Sequence, residues 1–241
     1  MVISTRVSIQ WPPAEPEELT STLAFTTPND NYVDIRIFKS FYPYISKINK
    51  DEKFHEVFQW CIAGKEIPLD NGRIKFDNVI SSVALHESLI LGDPLVIDSD
   101  IGTFSEYGLD RKETGEMKND NGVVSPYIEI WRSLDPLKHT PNKEVREDEE
   151  NNDANIPIFA LELINGLGRL VRIGNWIQGV IQDKDTVHVI RCWYDVNEQK
   201  WVNLIEFGEF DKFPIEFDGK VDDIITVDKE RDWKWKCVEK S

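Results

Sequence analysis

Apolar and polar side chains alternate with a period of two in several short segments of the chain. In 32–38, Val33, Ile35 and Ile37 fall on one face, and the residues between them fall on the other. A period of two is typical of a β-strand, because successive side chains of a strand point to opposite faces of the sheet. The segments that show this pattern are 6–11, 32–38, 127–132, 186–194 and 232–238. The pattern therefore predicts strands in both halves of the chain.

Turn sequences separate these predicted strands. Asp70-Asn71-Gly72, Asn121-Gly122 and Asp218-Gly219 combine residues that tolerate the backbone of a tight turn. The segment 12–18 is rich in proline, which cannot donate a hydrogen bond to a central strand, and is predicted to be a loop. The spacing favours antiparallel strands joined as meandering hairpins.

Two apolar segments, 54–62 and 158–167, fit both a helical and a strand period. Periodicity does not separate the two elements over so short a length. We interpret each segment as a strand, or as a short helix that leads into a strand, so the chain is predicted to be all-β with a minor helical part.

A polar break divides the chain into two halves. Two prolines, a run of acidic residues and four asparagines interrupt the apolar pattern in 136–155. We interpret this segment as an acidic linker between an N-terminal domain, 1–135, and a C-terminal domain, 156–241. A single domain with two layers is the alternative that the sequence leaves open.

A weak internal repeat supports the division into halves. An acidic turn followed by an apolar strand occurs at 30–38 and again at 185–193, and a strand that ends in glycine and an acid follows each. Strands that carry Trp131 and Trp233 close the two halves. The spacings differ, so the repeat requires a large insertion in the first half, and a chance resemblance is the alternative.

The composition agrees with a folded β protein, and the net charge limits the classes of partner that the protein can bind. The chain has 241 residues, 40% of them hydrophobic, with eight Trp, six Tyr and twelve Phe. Aromatic and branched side chains pack well on the surface of a sheet. The net charge of -16 would repel a phosphate backbone or an anionic lipid surface, so we expect no nucleic-acid partner, and a basic protein surface would be attracted.

Cysteine usage and the N-terminal sequence bear on the compartment. Cys61, Cys192 and Cys237 are far apart and odd in number, unlike a secreted disulfide framework. The N-terminus lacks a basic segment followed by an apolar stretch, and no run of about eighteen apolar residues occurs later. We expect reduced thiols, no membrane insertion and a cytoplasmic protein with passive access to the nucleus.

Metal sites have weak support in this sequence. The segment 98–103 resembles a calcium loop, but Ile101 stands where a third oxygen ligand is needed. His188 and Cys192 share a face of a predicted strand, yet no Cys-x-x-Cys or His-x-x-x-His supplies the other zinc ligands. We therefore predict neither a metal site nor a cofactor.

Catalytic sites have no better support. A Gly-x-Gly occurs in 165–169, but Val171 replaces the third glycine of a dinucleotide-binding motif. No Gly-x-Ser-x-Gly is present, and one of the four histidines, His139, lies in the predicted linker. The chain is therefore predicted not to be an enzyme.

Gly174-Asn175-Trp176 opens the meandering strands of the second half. A Gly-x-Trp at the start of such a run resembles the signature of calycin, or lipocalin-like, barrels, in which the tryptophan closes the base of the barrel. The resemblance implies that Gly174 and Trp176 are structural residues. It also implies a calycin-like barrel in the second half.

The length, the paired halves, the acidic linker, Gly174-x-Trp176 and the closing run 232–236 together resemble a small fungal family named for its interaction with casein kinase I. The resemblance covers the whole chain. It implies two calycin-like antiparallel β-barrels in tandem and no enzymatic activity. The partners it implies are a casein kinase I of the δ/ε type and a component of the endoplasmic-reticulum translocation machinery.

Two functions follow as hypotheses. The first is a non-catalytic protein that binds protein partners through its acidic surface, as the resemblance implies. The second is a binder of a small apolar ligand, because calycin barrels often enclose such molecules.

Overall fold

The computed structural model of the chain describes residues 1–46, 52–119, 122–147, 155–164 and 166–241. The described residues form two antiparallel sheets, one from each half of the chain. The first sheet is a closed barrel in which the strands follow their sequence order and β8 pairs with β1. Its strands are β1 (Val2–Gln10), β2 (Thr20–Thr26), β3 (Asn31–Phe38), β4 (Phe58–Pro68), β5 (Arg73–Ser81), β6 (Asp100–Tyr107), β7 (Asp110–Lys118) and β8 (Val124–Leu134).

The second sheet is curled but open, in the order β13-β12-β11-β10-β9-β15-β14. Its first strand lies beside its last, as β1 lies beside β8 in the barrel. Its strands are β9 (Ile158–Leu163), β10 (Gly168–Ile173), β11 (Trp176–Asp183), β12 (Thr186–Asp195), β13 (Lys200–Phe207), β14 (Ile224–Asp228) and β15 (Trp233–Lys240). The prediction of an all-β chain with tandem barrel-type sheets is confirmed.

Short helices interrupt the barrel at two connections. Helix α1 (Phe54–Val57) leads directly into β4, which confirms the mixed interpretation of 54–62. Helix α2 (Ser82–Leu91) follows β5; the Ser81 hydroxyl accepts a hydrogen bond from the Ala84 N–H at 3.2 Å and caps its N-terminus. Gly92, with a φ of 72°, ends the helix, as glycine commonly does at this position. Short 3₁₀ turns occur at Lys39–Phe41 and Phe210–Lys212.

The internal repeat matches strands that occupy different places in the two sheets. The strand predicted at 30–38 is the third of the barrel, whereas the strand predicted at 185–193 is the fourth of the second sheet. The two closing strands do correspond, since β8 and β15 each pair with the first strand of their own sheet. The predicted repeat therefore aligns strands whose positions in the two sheets differ by one at the acidic turns. Similar apolar runs recur in both sheets and produce this shift.

The main hydrophobic core lies between the two sheets. Val33, Ile35 and Ile37 on the outer face of β3 are completely buried, and they belong to the same core cluster as Val171 and Val180 of the second sheet. The second sheet thus covers part of the outer wall of the barrel. Burial of this apolar area supplies the main driving force that holds the two sheets together.

Polar side chains of the second sheet reinforce this contact. The Gln178 amide donates hydrogen bonds to the carbonyls of Leu23 and Val33 at 2.9 and 2.7 Å. Arg191, with no exposed surface, donates to the Ile35 carbonyl at 2.9 Å. Both side chains therefore join the second sheet to backbone acceptors of β2 and β3.

Candidate ligand cavity inside the barrel

The barrel encloses a cavity of about 310 Å³. Side chains from all eight barrel strands and from α2 line it. Alternation along β3 shows how the sequence builds this lining: Tyr32, Asp34 and Arg36 point inward, while the apolar residues between them point to the second sheet. The interior of the barrel consequently contains charged and aromatic side chains beside aliphatic ones such as Ile62 and Ile74, and the main apolar core lies outside it.

An ion-pair network crosses one part of the interior. Glu129 is 1% exposed, and its Oε1 accepts hydrogen bonds from Arg6 Nη1 at 2.6 Å and from Arg36 Nη1 at 2.7 Å. Arg6 also pairs with Glu18, and Arg36 with Asp34. Each buried charge therefore has an opposite charge in contact, which offsets the cost of removing it from water.

Asp34 has one oxygen in this network and one outside it. Its Oδ2 accepts from Arg36 Nε at 2.9 Å and from Trp60 Nε1 at 3.0 Å. Its Oδ1 is buried and has no hydrogen-bond partner within the described parts of the chain. The Arg36 guanidinium lies 3.6 Å from the centre of the Trp60 ring, a cation–π contact that fixes the arginine.

Glu113 occupies a second buried position on the cavity wall. Its carboxyl accepts hydrogen bonds from the Tyr127 hydroxyl and the Trp131 indole, both at 2.8 Å. Burial, followed by the neighbouring Glu129 charge, raises the pKa of Glu113 to about 8. A Cβ at Gly102 would lie 2.3 Å from the carboxyl, so the glycine leaves the space that Glu113 fills.

Aromatic rings form another part of the wall, and one of them, Phe104, is the cross-strand partner of Glu113. Tyr32 and Phe76 meet edge to face with centroids 5.6 Å apart, and Phe76 meets Phe104 at 6.3 Å. The Tyr32 hydroxyl donates to the Asn78 side chain. The cavity thus combines a rigid aromatic surface with charged groups.

The structure places Gly174 and Trp176 outside this cavity, at the junction between the two sheets. Gly174 has a φ of 59°, and a Cβ there would lie 2.6 Å from the Pro136 carbonyl oxygen. Trp176 is 1% exposed, belongs to the core shared by both sheets, and donates to the His139 carbonyl at 3.1 Å. Pro136, Leu137 and His139 of the predicted linker contact this junction, 145–147 lie beside the end of β8, and 148–154 lie outside the described residues.

The other sequence candidates are dispersed. The Sγ of Cys192 donates to Asn203 Oδ1 at 3.1 Å, and His188 Nδ1 accepts from the Glu209 N–H at 3.1 Å. All three cysteines are buried with free thiols. Asn121 and Asn165 lie outside the described residues. Where the chain is described, no group of three or more His, Cys, Asp or Glu side chains is placed to hold a metal ion.

Sequence reasoning missed the cavity residues, although a signal for them was present. The strand at 32–38 alternates apolar residues with Tyr32, Asp34 and Arg36. The pattern alone is equally compatible with a polar face that meets solvent, whereas closure of the barrel turns this face inward. Only the pairing of β8 with β1 distinguishes the two cases.

Within the described ranges, no helix is both long and apolar enough to cross a membrane.

Comparisons with known proteins agree over nearly the full length. The chain is similar to Protein HRI1 of Kluyveromyces lactis, with 25% identity over 235 residues that cover 89% of each protein. It is 24% identical over 248 residues to Protein HRI1 of Candida glabrata, with 92% of each covered. The crystal structure of the uncharacterised protein YLR301w from Saccharomyces cerevisiae has the same fold, with a TM-score of 0.74, 20% identity and coverage of 100% of this chain and 98% of that one.

The family model described as Protein HRI1 matches residues 2–239. The prediction that the chain belongs to a fungal family is confirmed, since both relatives are yeast proteins of the matched family. The chain belongs to the Protein HRI1 family.

Proposed function

We propose that the chain is a non-catalytic binding protein whose barrel holds a small molecule. The observation that carries this proposal is a cavity of about 310 Å³, within the size range of ligand sites, that contains a buried carboxylate oxygen without a partner in the described chain. A buried polar atom left without a hydrogen bond costs about 1–3 kcal/mol, and a ligand that donates to Asp34 Oδ1 would remove this cost.

The second sheet supports the assignment of the ligand site to the barrel by its contrast with the first sheet. The face of this sheet that points away from the barrel is covered by large side chains of its own cluster, including Phe213, Trp233 and Trp235. A face covered in this way belongs to a core, whereas the interior of the first sheet is not filled. The charged lining also favours a ligand with a polar group over the wholly apolar ligand expected from the sequence.

Native mass spectrometry tests the proposal. The full chain, expressed in a budding yeast and purified without detergent, should carry an additional mass of a few hundred daltons. Ala24 lines the cavity from β2, so Ala24→Phe should fill part of it and remove that mass. Val79→Phe introduces the same side chain at an exposed position of β5 that does not line the cavity, and should keep the mass. A bare polypeptide mass for the parent would contradict the proposal.

A second candidate is the binding of a basic protein partner such as casein kinase I. It is supported by the net charge of -16, which attracts basic surfaces, and by the family resemblance. Purified kinase should bind the full chain at low salt and dissociate as salt is raised. Failure to bind at about 50 mM salt, where exposed charges are weakly screened, would count against it.

A further inference from the structure

Carboxyl groups outnumber cations on the cavity wall. Among the described residues that line it, the acidic ones are Asp34, Glu66, Glu87, Asp98, Asp100, Glu113 and Glu129, and the basic ones are Arg36, Arg111 and Lys118. Lys118 pairs with Glu87 at the exposed rim. The deeper part of the wall therefore has an excess of acidic groups.

Three of these acids have no cation beside them. Within the described residues, no Lys, Arg or His nitrogen lies within 4 Å of Glu66, Asp100 or Glu113. Glu66 accepts from the Thr26 hydroxyl at 2.7 Å, and Asp100 from the Ile101 N–H at 2.7 Å. Burial raises the pKa of all three carboxyl groups, and the more distant positive charges, Arg111 and the N-terminus for Glu66 and Arg36 for Asp100 and Glu113, offset this only in part.

The strand register places two of these acids beside the same aromatic ring. Phe76 of β5 pairs with Glu66 of β4 on one side and with Asp100 of β6 on the other. Paired residues of adjacent strands point to the same face, and all three line the cavity. Two carboxyl groups therefore flank an aromatic ring in the interior.

Tyr32 and Asp34 complete this arrangement from β3. The pKa of the Tyr32 hydroxyl is raised by burial and then by the charges of Asp34, Glu66 and Asp100, and is lowered by Arg169, so the three carboxyl groups lie within electrostatic range of it. Asp34 is 7% exposed, and its Oδ1 has no hydrogen-bond partner in the described chain. The unpaired oxygen, the two flanking acids and the two rings belong to one region of the wall.

We infer that the ligand is an organic cation, an ammonium group carried on a compact apolar body, held by Asp34, Glu66 and Asp100 against the rings of Tyr32 and Phe76. Carboxylates compensate the positive charge, and ring faces attract it through cation–π interactions that strengthen when water is excluded. This inference rests on the proposed small-molecule function and adds the charge class of the ligand.

Matched probes test the charge class directly. Calorimetric titration of the full chain at pH 7 with 2-phenylethylammonium, 2-phenylethanol and 3-phenylpropionate compares a cation, a neutral molecule and an anion of similar size. We expect the ammonium probe to bind at least about tenfold more tightly than the alcohol, since carboxylate and cation–π contacts both favour it, and the carboxylate probe to bind most weakly.

Substitutions then locate the site. Glu66→Gln combined with Asp100→Asn should weaken the ammonium probe by about tenfold or more and leave the alcohol unchanged, because only the charge is removed. Glu116→Gln changes an exposed acid of the adjacent strand β7 that does not line the cavity, and should change neither. These variants keep the shape of the side chains, so a difference in probe selectivity does not arise from misfolding.

Any other pattern of probe binding overturns the inference. Equal binding of the three probes, tighter binding of the carboxylate, or binding of none shows that the cavity does not select a cation. The native mass spectrum of protein from yeast is independent of these probes. A retained mass there, together with failed cation selectivity, would leave the binding site in place and remove only the charge class.

Discussion

Replacing Glu129 with glutamine tests whether the barrel interior depends on its ion-pair network. The carboxylate is 1% exposed and accepts hydrogen bonds at 2.6 and 2.7 Å from the guanidinium groups of Arg6 and Arg36. Glutamine keeps the shape but removes the charge, which leaves two buried cations with less compensation. Breaking a buried pair in this way costs about 3–5 kcal/mol.

The structure places the expected loss at the lower end of this range. Arg6 retains Glu18 and Arg36 retains Asp34, so neither cation is left alone. We expect the free energy of unfolding to fall by about 3 kcal/mol. For a chain of this length, the melting temperature should fall by about 6–12 °C.

Urea unfolding, followed by tryptophan fluorescence and by far-ultraviolet circular dichroism, measures this loss. Glu116→Gln, at an exposed position of β7, is the matched control and should change the free energy of unfolding by less than about 0.5 kcal/mol. If Glu129→Gln also changes it by less than about 0.5 kcal/mol, the network does not stabilise the barrel, and the reasoning is refuted.

Three further predictions concern the contact between the sheets and the second buried acid. Arg191→Met removes the donor to the Ile35 carbonyl and should lower the free energy of unfolding by about 2–3 kcal/mol in urea titrations. Trp176→Phe removes the hydrogen bond to the His139 carbonyl and should cost about 1–2 kcal/mol by the same assay. Glu113 has a folded pKa of about 8 against an ordinary value of 4.5, so the folded state retains a proton that the unfolded state releases. Stability should therefore fall as pH rises from about 4.5 to 8, and this component of the slope should be absent from Glu113→Gln when urea midpoints are compared at pH 5 and 8.

Matched controls accompany these variants. Lys200→Met changes an exposed cation of β13, and its effect on the free energy of unfolding should be negligible compared with that of Arg191→Met. Trp193 pairs with Trp176 across β11 and β12, but its indole N–H is buried without a partner among the described residues. Trp193→Phe should thus cost less than Trp176→Phe, and the reverse order would contradict the role of the His139 hydrogen bond. An unchanged pH slope in Glu113→Gln would show that Glu113 titrates normally in the folded chain.

The sequence predicts the strands well where one face is buried and the other is solvated. In β15, Trp233, Trp235 and Cys237 alternate with half-buried residues, as their spacing indicates. Helix α1 and β4 also follow from the pattern at 54–62. Local periodicity reports which residues share a face, and these elements need no further information.

Periodicity does not report what each face meets. Both faces of β3 are buried, one against the second sheet and one around the cavity. Asp34 and Arg36 therefore look like solvent-facing residues in the sequence, although each is at most 7% exposed. Their position depends on the closure of the barrel between β1 and β8, which are more than a hundred residues apart.

The location of the core explains why such a barrel can remain open inside. A small barrel usually buries its apolar residues inward, because no other surface is available to cover them. Here the second sheet covers the outer wall of β3, so Val33, Ile35 and Ile37 are buried between the sheets. The interior of the barrel therefore does not have to serve as the hydrophobic core. Charged residues such as Arg36 and Glu129 can then occupy it, provided that they pair with each other or with a ligand.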